Sequence, residues 1–255
     1  MSAADVADAR RALVLLDLTD LGDHTTPETT DRLCERAVGQ YLPTAAVCLW
    51  PQWVRRAAGR LARSPVRIAT VVNFPSGDHD VASVVALTAT ALHDGADEID
   101  LVLPYRAFLA GDVSSARSMV DAIRAEVTSG RLLKVILESG SSPDMAHVHR
   151  AARLAIDHGA DFVKTSTGKT AVSATDDAVV AILQEIRDSA RPVGIKPSGG
   201  IRTLADARRH LDHADTVMGP EWAAPTTFRF GASGLLDVLE ATIAGAHPAA
   251  GVDGY

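Results

Sequence analysis

The sequence predicts an α/β protein that folds as a single (β/α)8 TIM barrel. Eight short apolar runs recur along the 255 residues, and their starts are separated by 21 to 35 residues. About 30 residues is the length of one strand, one helix and two loops. The stretches between the runs carry apolar residues at helical spacing. Buried strands that alternate with amphipathic helices indicate a parallel sheet covered by helices, and eight such units favour a closed barrel.

Each predicted strand is a short, mainly apolar run. The runs span residues 12–18, 45–50, 66–74, 98–103, 132–137, 161–165, 193–196 and 228–232. Helical spacing between them predicts helices at 29–41, at 81–92, between Pro143 and Gly159, from Thr203 onward and at 235–243. Gly95 and Gly159 follow two of these helices as stop signals.

The chain shows no sign of a second domain. No linker rich in Pro, Ser or Gly divides it, so we expect one barrel domain over residues 1–243. Residues 244–255 are rich in Ala and Gly, and we expect them to form a mobile C-terminal tail.

Composition narrows the classes of partner. Lys and Arg number 25 against 32 Asp and Glu, and this acidic balance argues against a general nucleic-acid surface. No window approaches the roughly 18 apolar residues of a membrane helix, and the apolar run 12–16 is shorter than a signal sequence needs. Two cysteines, Cys34 and Cys48, make no disulfide framework. We therefore expect a cytoplasmic protein without nucleic-acid or membrane partners.

Ionisable residues interrupt the predicted strands where burial would be costly unless they were paired. They are Asp17, Asp100, Lys134, Glu138, Lys164 and Lys196. Lys164 and Lys196 lie late in neighbouring strands, at the end of the barrel where active sites of this fold lie. If both point inward, each ammonium lowers the pKa of the other, and a neutral lysine can form a Schiff base with a carbonyl.

A purely structural interpretation of these charges is a network of ion pairs that fills the barrel. Lys134 and Glu138 have the same parity, which places them on one face of the fifth strand. Lys134 would then be a counter-ion for Asp17, Asp100 or Glu138. Three charged groups at three strand ends favour chemistry over this alternative, because perturbed groups cluster at functional sites.

Two glycine-containing loops follow the last two strands and each precedes a predicted helix. Gly199 and Gly200 follow the seventh strand, and residues 230–234 follow the eighth. Backbone N–H groups and a helix N-terminus bind anions, and this is the recurrent phosphate site of the barrel class. The segment 166–169 after the sixth strand adds possible donors.

The chain resembles the 2-deoxyribose-5-phosphate aldolases, the Schiff-base-forming class I family. The resemblance rests on LDLT (16–19), AVC (46–48), ATVVNFP (69–75), GADEID (95–100), LKVILE (133–138), GADFVKTSTGK (159–169), VGIKPSGGIR (193–202) and RFGAS (229–233). These motifs run in order through nearly the whole chain. They imply reversible cleavage of 2-deoxy-D-ribose 5-phosphate to D-glyceraldehyde 3-phosphate and acetaldehyde, without a metal or other cofactor.

The resemblance also implies residue roles. Lys164 would form the Schiff base, Lys196 would tune it and assist proton transfer, and Asp100 would relay protons. Asp17 and Lys134 match supporting polar residues of the same site. We count Thr19 and Cys48 as further supporting residues. Cys48 is either a small core residue or, if its thiol faces the barrel interior, a group that adds to reactive aldehydes. The residues implied to bind the substrate phosphate are Gly168, Lys169, Gly199, Gly200, Arg202, Gly231 and Ser233.

The sequence departs from the family pattern at Gly234, where many members have serine, so one hydroxyl donor is missing from the phosphate loop. Tyr255 resembles a C-terminal tyrosine that reaches towards the active site in some members, and family members often form homodimers. Three alternatives stay open: a lysine-dependent barrel aldolase for another phosphorylated sugar, a non-covalent phosphate-binding barrel isomerase, and a catalytically silent binding barrel.

Overall fold

Eight parallel strands form the barrel in the computed structural model, which describes residues 1–128 and 130–246. The strands are β1 (Leu16–Asp20), β2 (Ala46–Leu49), β3 (Arg67–Val72), β4 (Glu98–Val102), β5 (Leu132–Ile136), β6 (Phe162–Lys164), β7 (Gly194–Lys196) and β8 (Phe230–Ala232). Each strand pairs with the next one in chain order up to β7, and β8 pairs with β1. Bridges from Ile195 to Phe228 and from Ser198 to Gly231 join β7 to the β8 region. The predicted (β/α)8 TIM barrel is confirmed.

Helices alternate with these strands and cover the barrel. They are α1 (Ala3–Leu13), α2 (Pro27–Val38), α3 (Val54–Leu61), α4 (Val81–Asp94), α5 (Tyr105–Leu109), α6 (Val113–Glu126), α7 (Met145–Asp157), α8 (Asp176–Asp188), α9 (Leu204–Met218) and α10 (Leu235–Ile243). Most begin at a side chain that accepts a hydrogen bond from the first turn. Thr26, Asp80, Asp144 and Thr203 do so for α2, α4, α7 and α9.

The first predicted strand is partly wrong. Residues 12–18 span two elements, because α1 ends at Leu13 and β1 begins only at Leu16. The helix is fixed by a capping box between Ser2 and Asp5, and it buries Ala12 and Leu13 in the core. The apolar run is therefore the end of a helix followed by the start of a strand, and periodicity alone does not separate such neighbours.

The other predicted elements differ mainly at their ends. The helix at 235–243 agrees with α10, and Gly95 ends α4 in a left-handed conformation with φ 111°. The predicted helix at 29–41 begins two residues earlier and ends at Val38, because Gly39 stops it. Predicted strand ends beyond Leu49 and Val72 belong to loops.

Two remaining sequence expectations concern membranes and the tail. Within the described ranges, no helix is long and apolar enough to span a bilayer. We expected a mobile tail at 244–255. Residues 247–255 of this segment, which include Tyr255, lie outside the described residues.

Candidate active site

Five charged side chains point into the barrel from four neighbouring strands and β1. Side chains alternate along a strand, so one residue in two faces the interior. The strand register places Asp100 opposite Lys134 and Lys164 opposite Lys196. Asp17 completes the group from β1, and all five are at most 1% exposed. Sequence reasoning singled out all five, and the fold brings them together.

Asp100 is the centre of this group. Its Oδ2 lies 3.0 Å from Nζ of Lys164 and 2.8 Å from Nζ of Lys196. Its Oδ1 lies 2.9 Å from Nζ of Lys134. One carboxylate therefore contacts three lysines, and two of those lysines share a single oxygen.

Asp17 holds the second side of the cluster. Its Oδ2 lies 2.6 Å from Nζ of Lys196 and 3.4 Å from Nζ of Lys134. The hydroxyl of Thr19 donates to the carbonyl of Asp17 itself, at 2.8 Å, so it steadies the strand end. Cys48 pairs with Thr19 in the register between β1 and β2 and is fully buried, and that burial raises the pKa of its thiol.

The two neighbouring lysines differ in protonation. Burial lowers the pKa of Lys164, the carboxylate of Asp100 opposes that effect, and the charge of Lys196 reinforces it, so the pKa is lowered overall. For Lys196, burial is outweighed by Asp100 and Asp17, and its pKa lies well above the usual value. Lys164 is therefore the amine that more readily becomes neutral.

Sequence reasoning missed Glu98 and Arg229. Nη1 of Arg229 lies 2.6 Å from Oδ1 of Asp17, and Oε2 of Glu98 lies 2.5 Å from Nζ of Lys134. Glu98 precedes Asp100 by two residues in the same strand, so strand alternation was a signal that would have found it. Arg229 lies inside the predicted run 228–232, so a charge within a predicted strand was the signal that would have found it.

Of the three carboxylates that the sequence offered as partners of Lys134, Asp17 and Asp100 contact it. The prediction that Lys134 and Glu138 share one face of β5 is wrong. Glu138 lies beyond the end of β5 and adopts a left-handed conformation with φ 51°, so the strand alternation no longer applies to it. Its carboxylate accepts hydrogen bonds from the hydroxyls of Thr167 and Thr170. Glu98 contacts Lys134 instead.

The predicted phosphate loops lie at the same end of the barrel. Gly168, Gly199 and Gly200 all have φ between 77° and 81°, a region that favours glycine. A Cβ on Gly199 would lie 2.5 Å from Oγ of Ser173 and 3.2 Å from Cα of Gly168. The loops after β6 and β7 therefore pack directly against each other.

Some predicted phosphate donors already have partners. The N–H of Gly199 donates to the carbonyl of Gly231 at 3.3 Å. The N–H of Gly231 donates to the carbonyl of Pro197 at 2.9 Å. The ammonium of Lys169 donates to the carbonyl of Leu21 at 2.8 Å.

The remaining predicted phosphate residues lie beside helix N-termini. Arg202 precedes α9, and its N–H donates to Asp206 at 3.2 Å. Ser233 precedes Gly234 and the first turn of α10.

All lysines of the chain belong to this region. The sequence contains only four, which are Lys134, Lys164, Lys169 and Lys196. Three contact Asp100, and the fourth lies in the loop after β6. Over residues 1–128 and 130–246, no three His, Cys, Asp or Glu side chains are grouped to hold a metal ion.

A family model and a sequence relative both match this chain, and both are aldolases. The model of the DeoC/LacD family aldolases matches residues 11–240. A deoxyribose-phosphate aldolase of Agrobacterium fabrum is 53% identical over 248 residues, which cover 97% of this chain and 96% of the relative.

Solved structures agree with that result. An apo crystal structure from Toxoplasma gondii ME49, assigned as a deoxyribose-phosphate aldolase, has a TM-score of 0.87 at 28% identity, and the match covers 96% of this chain and 99% of that one. A Coccidioides immitis protein with the same assignment has a TM-score of 0.80 at 26% identity, with 91% and 85% covered. The family match over most of the chain, together with a close relative of nearly equal length, shows that this chain belongs to the DeoC/LacD family of aldolases.

Proposed function

We propose that the protein catalyses the reversible cleavage of 2-deoxy-D-ribose 5-phosphate to D-glyceraldehyde 3-phosphate and acetaldehyde. The observation that carries the proposal is the contact of Lys164 and Lys196 with one oxygen of Asp100 inside a barrel of this family. That geometry gives one lysine a lowered pKa and keeps its neighbour charged. The 53% identity to a deoxyribose-phosphate aldolase supports the substrate.

The first step is imine formation on Lys164. Its neutral amine attacks the aldehyde carbon of the open-chain sugar, and loss of water leaves a protonated imine. The lowered pKa of Lys164 makes the neutral amine available at lower pH than for an exposed lysine. Lys196, which is protonated at the start, donates its proton to the departing oxygen and regains a proton when the last iminium is hydrolysed.

The second step breaks the bond between C2 and C3 of the sugar. Asp100 accepts the proton of the C3 hydroxyl through a water molecule, and the C3 oxygen forms the carbonyl of glyceraldehyde 3-phosphate. The electron pair of the C2–C3 bond moves into the iminium and gives an enamine on Lys164. Protonation at C2 and hydrolysis then release acetaldehyde and the free lysine. The iminium is the electron sink, so these steps require no metal or other cofactor.

The supporting side chains keep this arrangement in place. Lys134 and Asp17 contact Asp100 and Lys196, so they hold the two reacting groups at hydrogen-bonding distance. Thr19 and Cys48 lie side by side on β1 and β2 at the same end of the barrel.

The loops after β6, β7 and β8 would bind the substrate phosphate. The backbone N–H groups at the start of α9 and α10 favour an anion. We assign this role to Gly168, Lys169, Gly199, Gly200, Arg202, Gly231 and Ser233. The amides of Gly199 and Gly231 already bond to carbonyls, so these two glycines act through close packing of the loops.

The organisation of the whole protein is also proposed. We infer that residues 1–243 form one domain. The homodimer and the cytoplasmic location that the sequence suggested stay predictions.

A product assay tests the proposed reaction. Purified protein is incubated with 2-deoxyribose 5-phosphate, and acetaldehyde and glyceraldehyde 3-phosphate are measured in parallel. Equal release of both products is expected. Cleavage of only another phosphorylated sugar would favour the second aldolase hypothesis, and isomerisation without cleavage would favour the non-covalent barrel isomerase.

A further inference from the structure

Two buried charged residues lie behind the catalytic group and take no part in the mechanism above. Glu98 is fully buried on β4, and Arg229 is 2% exposed just before β8. Nη2 of Arg229 lies 3.0 Å from Oε1 of Glu98, so the two form an ion pair. Nε of Arg67 also lies 3.0 Å from Oε1 of Glu98, with a side chain that is 38% exposed. The Glu98–Arg229 pair therefore closes the cluster on the side away from Lys164.

Each member of the pair shares a partner with the catalytic group. Glu98 contacts Lys134 at 2.5 Å, and Lys134 is also a partner of Asp100 at 2.9 Å. Arg229 contacts Asp17 at 2.6 Å, and Asp17 is also a partner of Lys196. Glu98 thus competes with Asp100 for one lysine, while Arg229 competes with Lys196 for one carboxylate.

We propose that Glu98 and Arg229 are positioning residues that set how strongly Asp100 binds Lys164. This inference rests on the proposed function, because it concerns the lysine that forms the imine. Neither residue contacts Lys164; both act through the shared partners just described.

The two residues act in opposite directions. Without the charge of Glu98, Lys134 moves towards Asp100, and Asp100 stabilises the ammonium of Lys164 less. Without the charge of Arg229, Asp17 holds Lys196 more tightly, and Asp100 is free to stabilise the ammonium of Lys164 more. The direct electrostatic effects have the same signs, because loss of an anion disfavours a nearby cation and loss of a cation favours it.

The groups that face Lys164 are few, so the effect has a defined origin. Asp100 on β4 contacts it, and Lys196 lies opposite it on β7. Lys196 and Cys48 on β2 interact with it electrostatically. Lys134 on β5 and Asp17 on β1 lie behind Asp100 and Lys196. The neighbouring strand β3 places the uncharged residue Val71 opposite Asp100.

The protonation of Lys164 can be measured directly, because the chain contains only four lysines. Protein labelled with 13C at the lysine side chains gives one signal for each of four residues, and the signal lost in Lys164→Arg identifies Lys164. The titration midpoint of this signal is then measured in Glu98→Gln and Arg229→Met. We expect the midpoint to fall in the first variant and to rise in the second, each by about one pH unit. Arg229→Lys is expected to return the midpoint towards that of the unmodified protein.

A matched pair of surface variants is the control. Asp237→Asn and Arg36→Met remove the same formal charges from an exposed ion pair, and they should leave the Lys164 midpoint unchanged. If Arg229→Met does not fold, Arg229→Gln replaces it and the same upward shift is expected. Unchanged midpoints in folded variants, or shifts of the same sign, would overturn the inference and leave Glu98 and Arg229 with a purely structural role.

The test also separates this inference from the proposed function. A lysine midpoint is measured without substrate, so it does not depend on turnover. Unmodified protein that forms no imine with acetaldehyde would refute the proposed function, whereas the two midpoint shifts would still decide the positioning role.

Discussion

The interior of the barrel and its outer surface use different cations. Three of the four lysines lie fully buried around Asp100, whereas the surface ion pairs of the described residues are built on arginine and histidine. Arginine keeps its charge under all ordinary conditions, but the pKa of a lysine shifts readily when it is buried. Among the buried lysines, the pKa of Lys164 is lowered, whereas nearby carboxylates raise the pKa of Lys134 and Lys196. The contrast teaches that a buried lysine can be set to either protonation state by its neighbours, whereas an arginine only holds a charge.

Arg229 is the exception inside the barrel, and it fits the same rule. Burial would lower its pKa, but Asp17 and Glu98 raise it, so the guanidinium stays charged. It contributes a fixed charge next to lysines whose protonation differs.

The sharpest way to break the comparison is Lys164→Arg. The guanidinium cannot lose its proton, so no imine forms, and we expect kcat/KM to fall by at least about a thousandfold. The reverse change on the surface, Arg36→Lys, is the control, and it should leave kcat/KM unchanged because Arg36 belongs to an exposed ion pair. Substantial activity in Lys164→Arg would show that another group carries the chemistry.

The second prediction compares the stability of the two regions. Lys134→Met removes the interior cation that contacts all three of Asp17, Glu98 and Asp100. We expect the free energy of unfolding to fall by about 3–5 kcal/mol, the usual cost of breaking a buried pair. Arg56→Met removes a half-exposed partner of Asp31, and its cost should stay below about 1 kcal/mol. Urea unfolding measures both, and equal losses would contradict the distinction between the regions.

The third prediction concerns acid. Burial opposes ionisation of Asp17 and Asp100, but the surrounding lysines, joined by Arg229 at Asp17, prevail and lower the pKa of both. A lowered folded pKa adds stability that is present above the ordinary value near 3.8 and is lost as the pH falls through the folded value. Asp17→Asn should therefore lose stability at neutral pH and show a shallower decline in acid. A decline as steep as that of the unmodified protein would count against this account.

The fourth prediction has the smallest expected effect and concerns an arginine beside the phosphate loops. Arg202 is an exposed arginine to which we assign phosphate binding. Arg202→Met should raise KM for the phosphorylated substrate by about tenfold, the effect of losing one charged contact, with little change in kcat. Unphosphorylated 2-deoxyribose is the control, since its cleavage should be unaffected. An equal change for both sugars would remove Arg202 from the phosphate site.

The sequence predicted the architecture well because the strands are apolar and regularly spaced. It failed at residues 12–18, where a helix end and a strand start form one apolar run. It also failed at Glu138, where a left-handed residue ends the alternation. Both errors arise where backbone conformation changes without a change in hydrophobicity.

The site was predictable to the extent that strand ends determine it. Asp17, Asp100, Lys134, Lys164 and Lys196 stand out because charges are rare in buried strands. The contacts of Arg229 are different, because Glu98 and Asp17 lie 131 and 212 residues away from it along the chain. Only barrel closure between β8 and β1 brings such residues together, and the sequence pattern does not determine that contact.

Reductive trapping is the most direct test of the account. The protein is treated with borohydride in the presence of 2-deoxyribose 5-phosphate, and intact mass and peptide mapping locate the adduct among four lysines. We predict a single adduct on Lys164 that is absent from Lys164→Ala. An adduct on Lys196 or Lys169, or none on folded protein, would contradict the assignment of Lys164 as the nucleophile.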